Sequence, residues 1–161
     1  MDNYQLDHVG IAVLSIDASA PIFSQITGSY ISPTEHLPEM QVNVAFVGSI
    51  ELIEPRSPSS PISKHIGKHG SALHHLAYVV PNIQCSLKAF SELGFHLIDE
   101  TPRKGSRGHQ VAFIHPKDTN GILIELVQSK DEIWSTLWST ALSFQLTLSR
   151  GKVYESHTIV Q

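Results

Sequence analysis

LDHVGIAV at residues 6–13 is written again, sixty-seven positions later, as LHHLAYVV at residues 73–80. Both stretches are apolar and β-branched enough to be buried strands, and both carry a histidine at the third position. A histidine inside an apolar strand needs a partner, so the repetition points to a shared one. The echo extends well beyond the strands. The same offset lays Ile16 on Ile83, Phe23 on Phe90 and Ser24 on Ser91, and Val44-Ala45-Phe46 on Val111-Ala112-Phe113. Once the seven residues HPKDTNG are skipped, Ile50-Glu51-Leu52 falls on Ile124-Glu125-Leu126. Such self-similarity is the mark of a duplicated structural unit.

Each copy reads alike. Residues 5–13 predict a strand, and 16–27 predict a helix with Ile16, Ala20, Phe23 and Ile26 on one face and Pro21 in its opening turn or at a slight kink. Strands are expected at 29–34, 41–48 and 49–54, the last two joined by a tight turn at Gly48-Ser49. The second copy predicts a strand at 72–80, a helix over 83–93 capped by Asn82, and strands near 96–100, 109–115 and 121–128. The expected fold is therefore α+β: two βαβββ modules, residues 4–55 and 72–128, forming a pseudo-two-fold cup within one domain of residues 1–130. The linker at 56–71 opens as a Pro/Ser-rich turn and closes as a short helix. Residues 131–161 form a C-terminal extension in which Trp134, Leu137, Trp138 and Ala141 recur at helical spacing. It is expected to pack on a sheet edge, extend a dimer contact or line the mouth of the cup.

Bulk properties narrow the function. The chain has 161 residues, 41% hydrophobic and 16% charged, enough for a core without covalent staples. A net charge of -4 with scattered Lys and Arg speaks against nucleic-acid binding. No apolar run is long enough for a membrane span, and Cys85 is the single cysteine, so a cytoplasmic protein without disulfides is expected. Ten histidines favour metal or proton chemistry without locating it.

Strand alternation locates it. His8, Gly10 and Ala12 share one face of the first strand, and His75 and Ala77 share the equivalent face of its echo. The small residues beside each histidine leave a hollow that packing alone would have filled. Glu51 and Glu125 each interrupt an apolar strand, and a carboxylate so placed is costly to bury unless paired or bound to a metal. Taken singly, each residue has a plainer reading as a hydrogen-bonded core histidine or an edge charge. Taken together, His8, Glu51, His75 and Glu125 make a site for a divalent first-row metal with room for water or substrate oxygens. Cobalt, zinc, manganese and nickel all suit two nitrogens and two oxygens. His74 is expected on the opposite face, as a structural residue or as support for the ligands.

LDHVGIAV, IELIEPRSPSSPI, LHHLAYVV and RGHQVAFIHPKDTNGILIEL, in that order, resemble the vicinal oxygen chelate superfamily and within it the methylmalonyl-CoA epimerases. The resemblance spans residues 5–128. It implies His8, Glu51, His75 and Glu125 as metal ligands and inversion of the α-carbon of a 2-methylmalonyl thioester. It also implies two proton-transfer bases, Glu125 and a glutamate that falls on Glu39 in PEMQV. Gln41 stands there in place of the family's glycine, which leaves Glu39 open between a base and a surface charge. A homodimer and an acyl-CoA substrate are implied as well.

The loop TPRKGSRGHQ carries Lys104, Arg107 and Gly108. Its glycines would admit an acyl carboxylate and its basic side chains the coenzyme A phosphates, or it is a solvated basic turn. Lys117 has the same two readings. A glyoxalase I type lyase shares the cup and a similar ligand set, and a non-catalytic ligand-binding cup would share the fold alone.

Overall fold

The computed structural model describes residues 4–130, so the expectations for residues 131–161 lie outside the described residues. The chain runs β1 (Gln5–Ala12), α1 (Ile16–Thr27), β2 (Glu35–Leu37), β3 (Val42–Val47), β4 (Ile50–Pro55), α2 (Pro61–His69), β5 (Ala72–Val79), α3 (Ile83–Glu92), β6 (Arg103–Lys104), β7 (Gln110–Ile114) and β8 (Leu123–Gln128). The strands form one eight-stranded mixed sheet in the order β2-β3-β4-β1-β5-β8-β7-β6. Its two halves are the two modules, meeting at the antiparallel β1–β5 pair. The sheet curls: the loop before β7 reaches back so that the Arg107 guanidinium lies 3.4 Å from the centre of the Phe46 ring on β3, and its backbone N–H donates to the Glu35 carboxylate on β2.

The helices form where caps and apolar spacing agree. Ser15 and Asn82, at the same repeat position, accept from Ala18 N–H and Cys85 N–H. Pro21 falls in the second turn of α1. α1 covers the convex face of its own half, packing Ile16 and Ala20 on Val13, Ala45, Val47 and Leu52. α3 does the same with Ile83 and Leu87 on Val80, Ala112, Ile114 and Leu126. The expected linker helix is α2, whose Ile62 lies on the concave side against Ala12, Val42, Val44 and Ile53.

Two expected strands do not form as drawn. Over 29–34 only Ile31 bridges to Val47, and the edge strand is β2 instead. Pro33 has no N–H to give a ladder. The neighbouring Ser32 hydroxyl accepts from Phe46 N–H at 2.8 Å, supplying by side chain what a strand would supply by backbone. In the second copy, 96–100 holds only a Leu97–Ile114 bridge, and Asp99, the repeat mate of Ser32, accepts from Phe113 N–H at 2.9 Å. The edge strand there is β6, beyond Pro102.

The β1–β5 register contains two irregularities. Leu6 pairs with Tyr78 but His8 with Ala77, so Asp7 is an extra residue; Gly10 pairs with His75 but Ile11 with Leu73, so His74 is the other. Asp7 and His74 occupy the same repeat position, so the bulges obey the pseudo-two-fold. A bulge breaks the alternation of faces. That corrects the expectation for His74, whose ring borders the same cavity as His75 rather than the opposite face.

Gly10 sits directly beneath the His75 ring, where an added Cβ would lie 2.2 Å from Cε1. Glycine-to-alanine in a strand ordinarily stabilises by reducing unfolded-state entropy. Here Gly10→Ala is expected to destabilise by about 1–3 kcal/mol, because the ring cannot be accommodated. A urea melt with a lowered midpoint and an unchanged slope checks it.

Candidate metal centre

The register of the central strands arranges the four sequence-predicted ligands in two rows across the concave face. Glu51 on β4 pairs with Gly10 on β1, which pairs with His75 on β5. His8 on β1 pairs with Ala77 on β5, which pairs with Glu125 on β8. Each row reads ligand, small residue, ligand, and the rows are related by the pseudo-two-fold. The small middle residues are the hollow anticipated from sequence.

The donor atoms converge. His8 Nε2 and His75 Nε2 are 3.1 Å apart. Glu51 Oε2 lies 3.5 Å from each of them, and Glu125 Oε2 lies 3.4 Å from His8 Nε2 and 2.9 Å from His75 Nε2. All four donors fall within 4.8 Å of one another, and among the described residues no other group of three or more His, Cys, Asp or Glu does so. Bonds of about 2.0–2.2 Å around a first-row cation separate neighbouring donors by about 3.0 Å in an octahedron and about 3.4 Å in a tetrahedron. The five separations that involve a histidine, 2.9–3.5 Å, are close to these values. Glu125 Oε2 is moreover buried without a hydrogen-bond donor directed at it, a condition that a cation would relieve.

The four side chains are 2–6% exposed, so their charges act in a poorly solvated setting. Burial by itself would strip the proton from His8, but the hydrogen-bonded Asp7 carboxylate and the nearby carboxylates of Glu125 and Glu51 outweigh it and push His8 up to about 11. Burial likewise opposes ionisation of Glu125, and His75 and His8 overcome it to hold that carboxyl well below the usual range. The hydrogen bond to His8 lowers Asp7. Burial, then the nearby His75 and His65, depress His74 to about 3 and keep it neutral. A cluster that binds a proton so strongly through its carboxylates offers the same field to a divalent cation.

Phe46 and Phe113, paired across the sheet with Glu51 and Glu125, stand edge-on to His8 and His75 at 5.4 and 5.8 Å between ring centres. They were visible in the repeat as matched positions but carried no assigned role. Above the donors opens a cavity of about 440 Å³, walled on the module-one side by Leu37, Val44, Ile53 and Ile62.

Glu39 stands on the 3-10 turn Pro38–Met40 and borders this cavity. Gln41 adopts the left-handed conformation, φ 55°, that a glycine takes freely. Its turn closes all the same, through Gln41 N–H to Pro38 O, and Ser57 and Ser59 donate to its side-chain oxygen. From the loop before β7 it is Arg103, Gly105 and Ser106 that border the cavity. Lys104, Arg107, Gly108 and Lys117 are exposed and do not line it. Gly105 is required for packing, since a Cβ there would meet Val111 at 2.6 Å. Ser106 donates its hydroxyl to Glu51 Oε1 at 3.2 Å. Sequence reasoning assigned no role to Ser106 and missed Asp7, which accepts from His8 Nδ1 at 2.7 Å. The shared repeat position of Asp7 and His74 was the available signal.

Comparison with known proteins agrees with this geometry. Residues 7–113 match the Glyoxalase/Bleomycin resistance protein/Dioxygenase superfamily. A Bacillus subtilis protein, YqjC, described as uncharacterized, is 40% identical over 80% of this chain and 94% of its own length. The ethylmalonyl-CoA/methylmalonyl-CoA epimerase of Cereibacter sphaeroides is 33% identical over 77% of this chain and 97% of its own. A structure of methylmalonyl-CoA epimerase in complex with methylmalonyl-CoA and NH4+ superposes with a TM-score of 0.76 at 29% identity, covering 80% of this chain and 96% of that one. With its duplicated βαβββ frame and converging donors, the chain belongs to the glyoxalase/bleomycin resistance protein/dioxygenase superfamily.

Proposed function

We propose that the chain is a metal-dependent epimerase that inverts the α-carbon of methylmalonyl-CoA or a similar 2-substituted malonyl thioester. The observation that carries the reading is the buried, undonated Glu125 carboxylate at the floor of a cavity whose rim bears a second carboxylate, Glu39. His8, Glu51, His75 and Glu125 would hold the cation, with cobalt, zinc, manganese and nickel all compatible. When bound it supplies a Lewis acid that lowers the cost of charge developing on the thioester oxygen. The similarity to epimerases named for methylmalonyl-CoA supports the substrate class.

The chain's own residues divide the remaining work. Inversion needs a base on each side of the α-carbon, one to take a proton and the other to return one. The repeat relates the turn bearing Glu39 to the loop bearing Ser106, with Glu39 and Ser106 as mates. Met40, next to Glu39, packs on Ala77, Val111 and Val127 of the second module, as its mate Arg107 packs on Phe46 of the first. The Ser106 hydroxyl reaches Glu51, so the two-fold leads us to expect the Glu39 turn over Glu125, and Glu39 and Glu125 border the one cavity. An α-carbon held between them would face a carboxylate on either side. Phe113 and the apolar walls of the cavity would limit access of water, so a carbanionic α-carbon would be reprotonated by the carboxyl group of Glu39 or Glu125 and not by bulk solvent. Coenzyme A phosphates would be met by exposed cations such as Lys104, Arg107 and Lys117 at the loop surfaces.

Incubation with methylmalonyl-CoA in deuterium oxide is expected to exchange the α-hydrogen and invert the centre, while methylglyoxal with glutathione is not turned over. The opposite pattern would assign the chain to the glyoxalase I type lyases, and inactivity on both would leave a ligand-binding cup.

Replacing one base separates the two roles. Glu125→Gln is expected to reduce turnover by about 10²–10⁴-fold at equal metal content. Glu39→Gln should abolish inversion while leaving α-hydrogen exchange into one enantiomer. Chiral analysis of the deuterated product distinguishes them, and near-parental inversion by either metal-loaded variant would remove that residue as a base.

A further inference from the structure

Three of the four donors are gripped from behind, each at the atom opposite the one that faces its fellow donors. His8 presents Nε2 to the cluster while its Nδ1 meets Asp7 Oδ2 at 2.7 Å. His75 presents Nε2 while its Nδ1 meets His74 Nδ1 at 3.0 Å. Glu51 presents Oε2 while Ser106 donates to its Oε1. In a regular strand the residue before a histidine points to the other face and cannot touch that ring's Nδ1. The two symmetry-related bulges at Asp7 and His74 remove this obstacle.

We propose that Asp7, His74 and Ser106 are positioning residues of the metal centre, each fixing the tautomer or rotation of one donor. The proposal rests on the reading that the four donors hold a divalent cation. An imidazole that binds metal through a bare Nε2 carries its proton on Nδ1, so His8 donates to the Asp7 carboxylate and His75 donates to His74. His74 must then keep Nδ1 bare and its own proton on Nε2. Ser106 fixes Glu51 so that one carboxylate oxygen, and not both, turns toward the histidines. The grips are unequal in kind. Asp7 is an anion and raises the basicity of His8, whereas His74 is a neutral acceptor that orients His75 without adding charge. The two histidines are therefore equivalent in fold and unequal as ligands.

The test is cobalt(II) titration of metal-stripped full-length protein, read by visible absorption and by competition with a chelator. Asp7→Ala, His74→Phe and Ser106→Ala are each expected to weaken cobalt binding by about 10- to 100-fold and to alter the ligand-field bands, with Asp7→Ala the most affected. His74→Asn and Ser106→Thr, which restore the acceptor and the hydroxyl, should recover most of the affinity and the parental spectrum. A general packing defect would lower the unfolding midpoint of the metal-free protein without this rescue. Parental protein that binds cobalt, together with truncations that bind it within threefold and with unchanged bands, overturns the proposal alone. Parental protein that binds no first-row cation overturns the metal reading itself. Should a truncation fail to fold, Asp7→Asn decides for that residue: about tenfold weaker binding supports the charged grip, and parental affinity refutes it.

Discussion

The antiparallel register of β1 against β5 is the constraint on which everything else depends. It sets His8 opposite Ala77 and Gly10 opposite His75, so each imidazole rises beside a residue too small to obstruct it. The parallel pairs β1–β4 and β5–β8 then extend the two rows to Glu51 and Glu125. A slip of one residue would turn every one of these side chains to the helix-covered face. The convex packing of α1 and α3, built on Leu52, Leu126 and their neighbours, holds that register from outside.

Burying two histidines and two carboxylates in a poorly solvated hollow is expensive unless their charges balance. The carboxylates of Asp7, Glu125 and Glu51 raise the proton affinity of His8 against the opposing effect of burial. That arrangement is compact and directional, with donors spaced as a metal polyhedron spaces them. The edges of Phe46 and Phe113 pack against the two imidazoles, and the four donors are buried, where charges interact more strongly than in water.

Duplication built a symmetric frame, and the side chains around the four donors depart from that symmetry. The mates Asp7 and His74 grip their histidines through different atoms and charges. The mates Glu39 and Ser106 occupy equivalent loops over the cavity, one a free carboxylate at the rim and the other bonded to a donor. Gln41 and Gly108 share a left-handed backbone because both loops turn at that point. The backbone kept its two-fold while the side chains diverged.

The sequence by itself determined the duplicated modules, the helices, the central strands and the four converging donors. Those features are written as period-two and helical spacing repeated at a fixed offset, and such patterns survive without knowledge of contacts. Tertiary structure alone decided the bulges that bring Asp7 and His74 onto their histidines. It alone replaced the expected strands at 29–34 and 96–100 with side-chain contacts from Ser32 and Asp99. It also chose Ser106 over the basic residues beside it as the one that touches a donor. A bulge is a mismatch between two strands, and a loop's reach depends on how far the sheet curls. Neither is a property of one stretch of chain, so neither can be read until distant segments are set side by side.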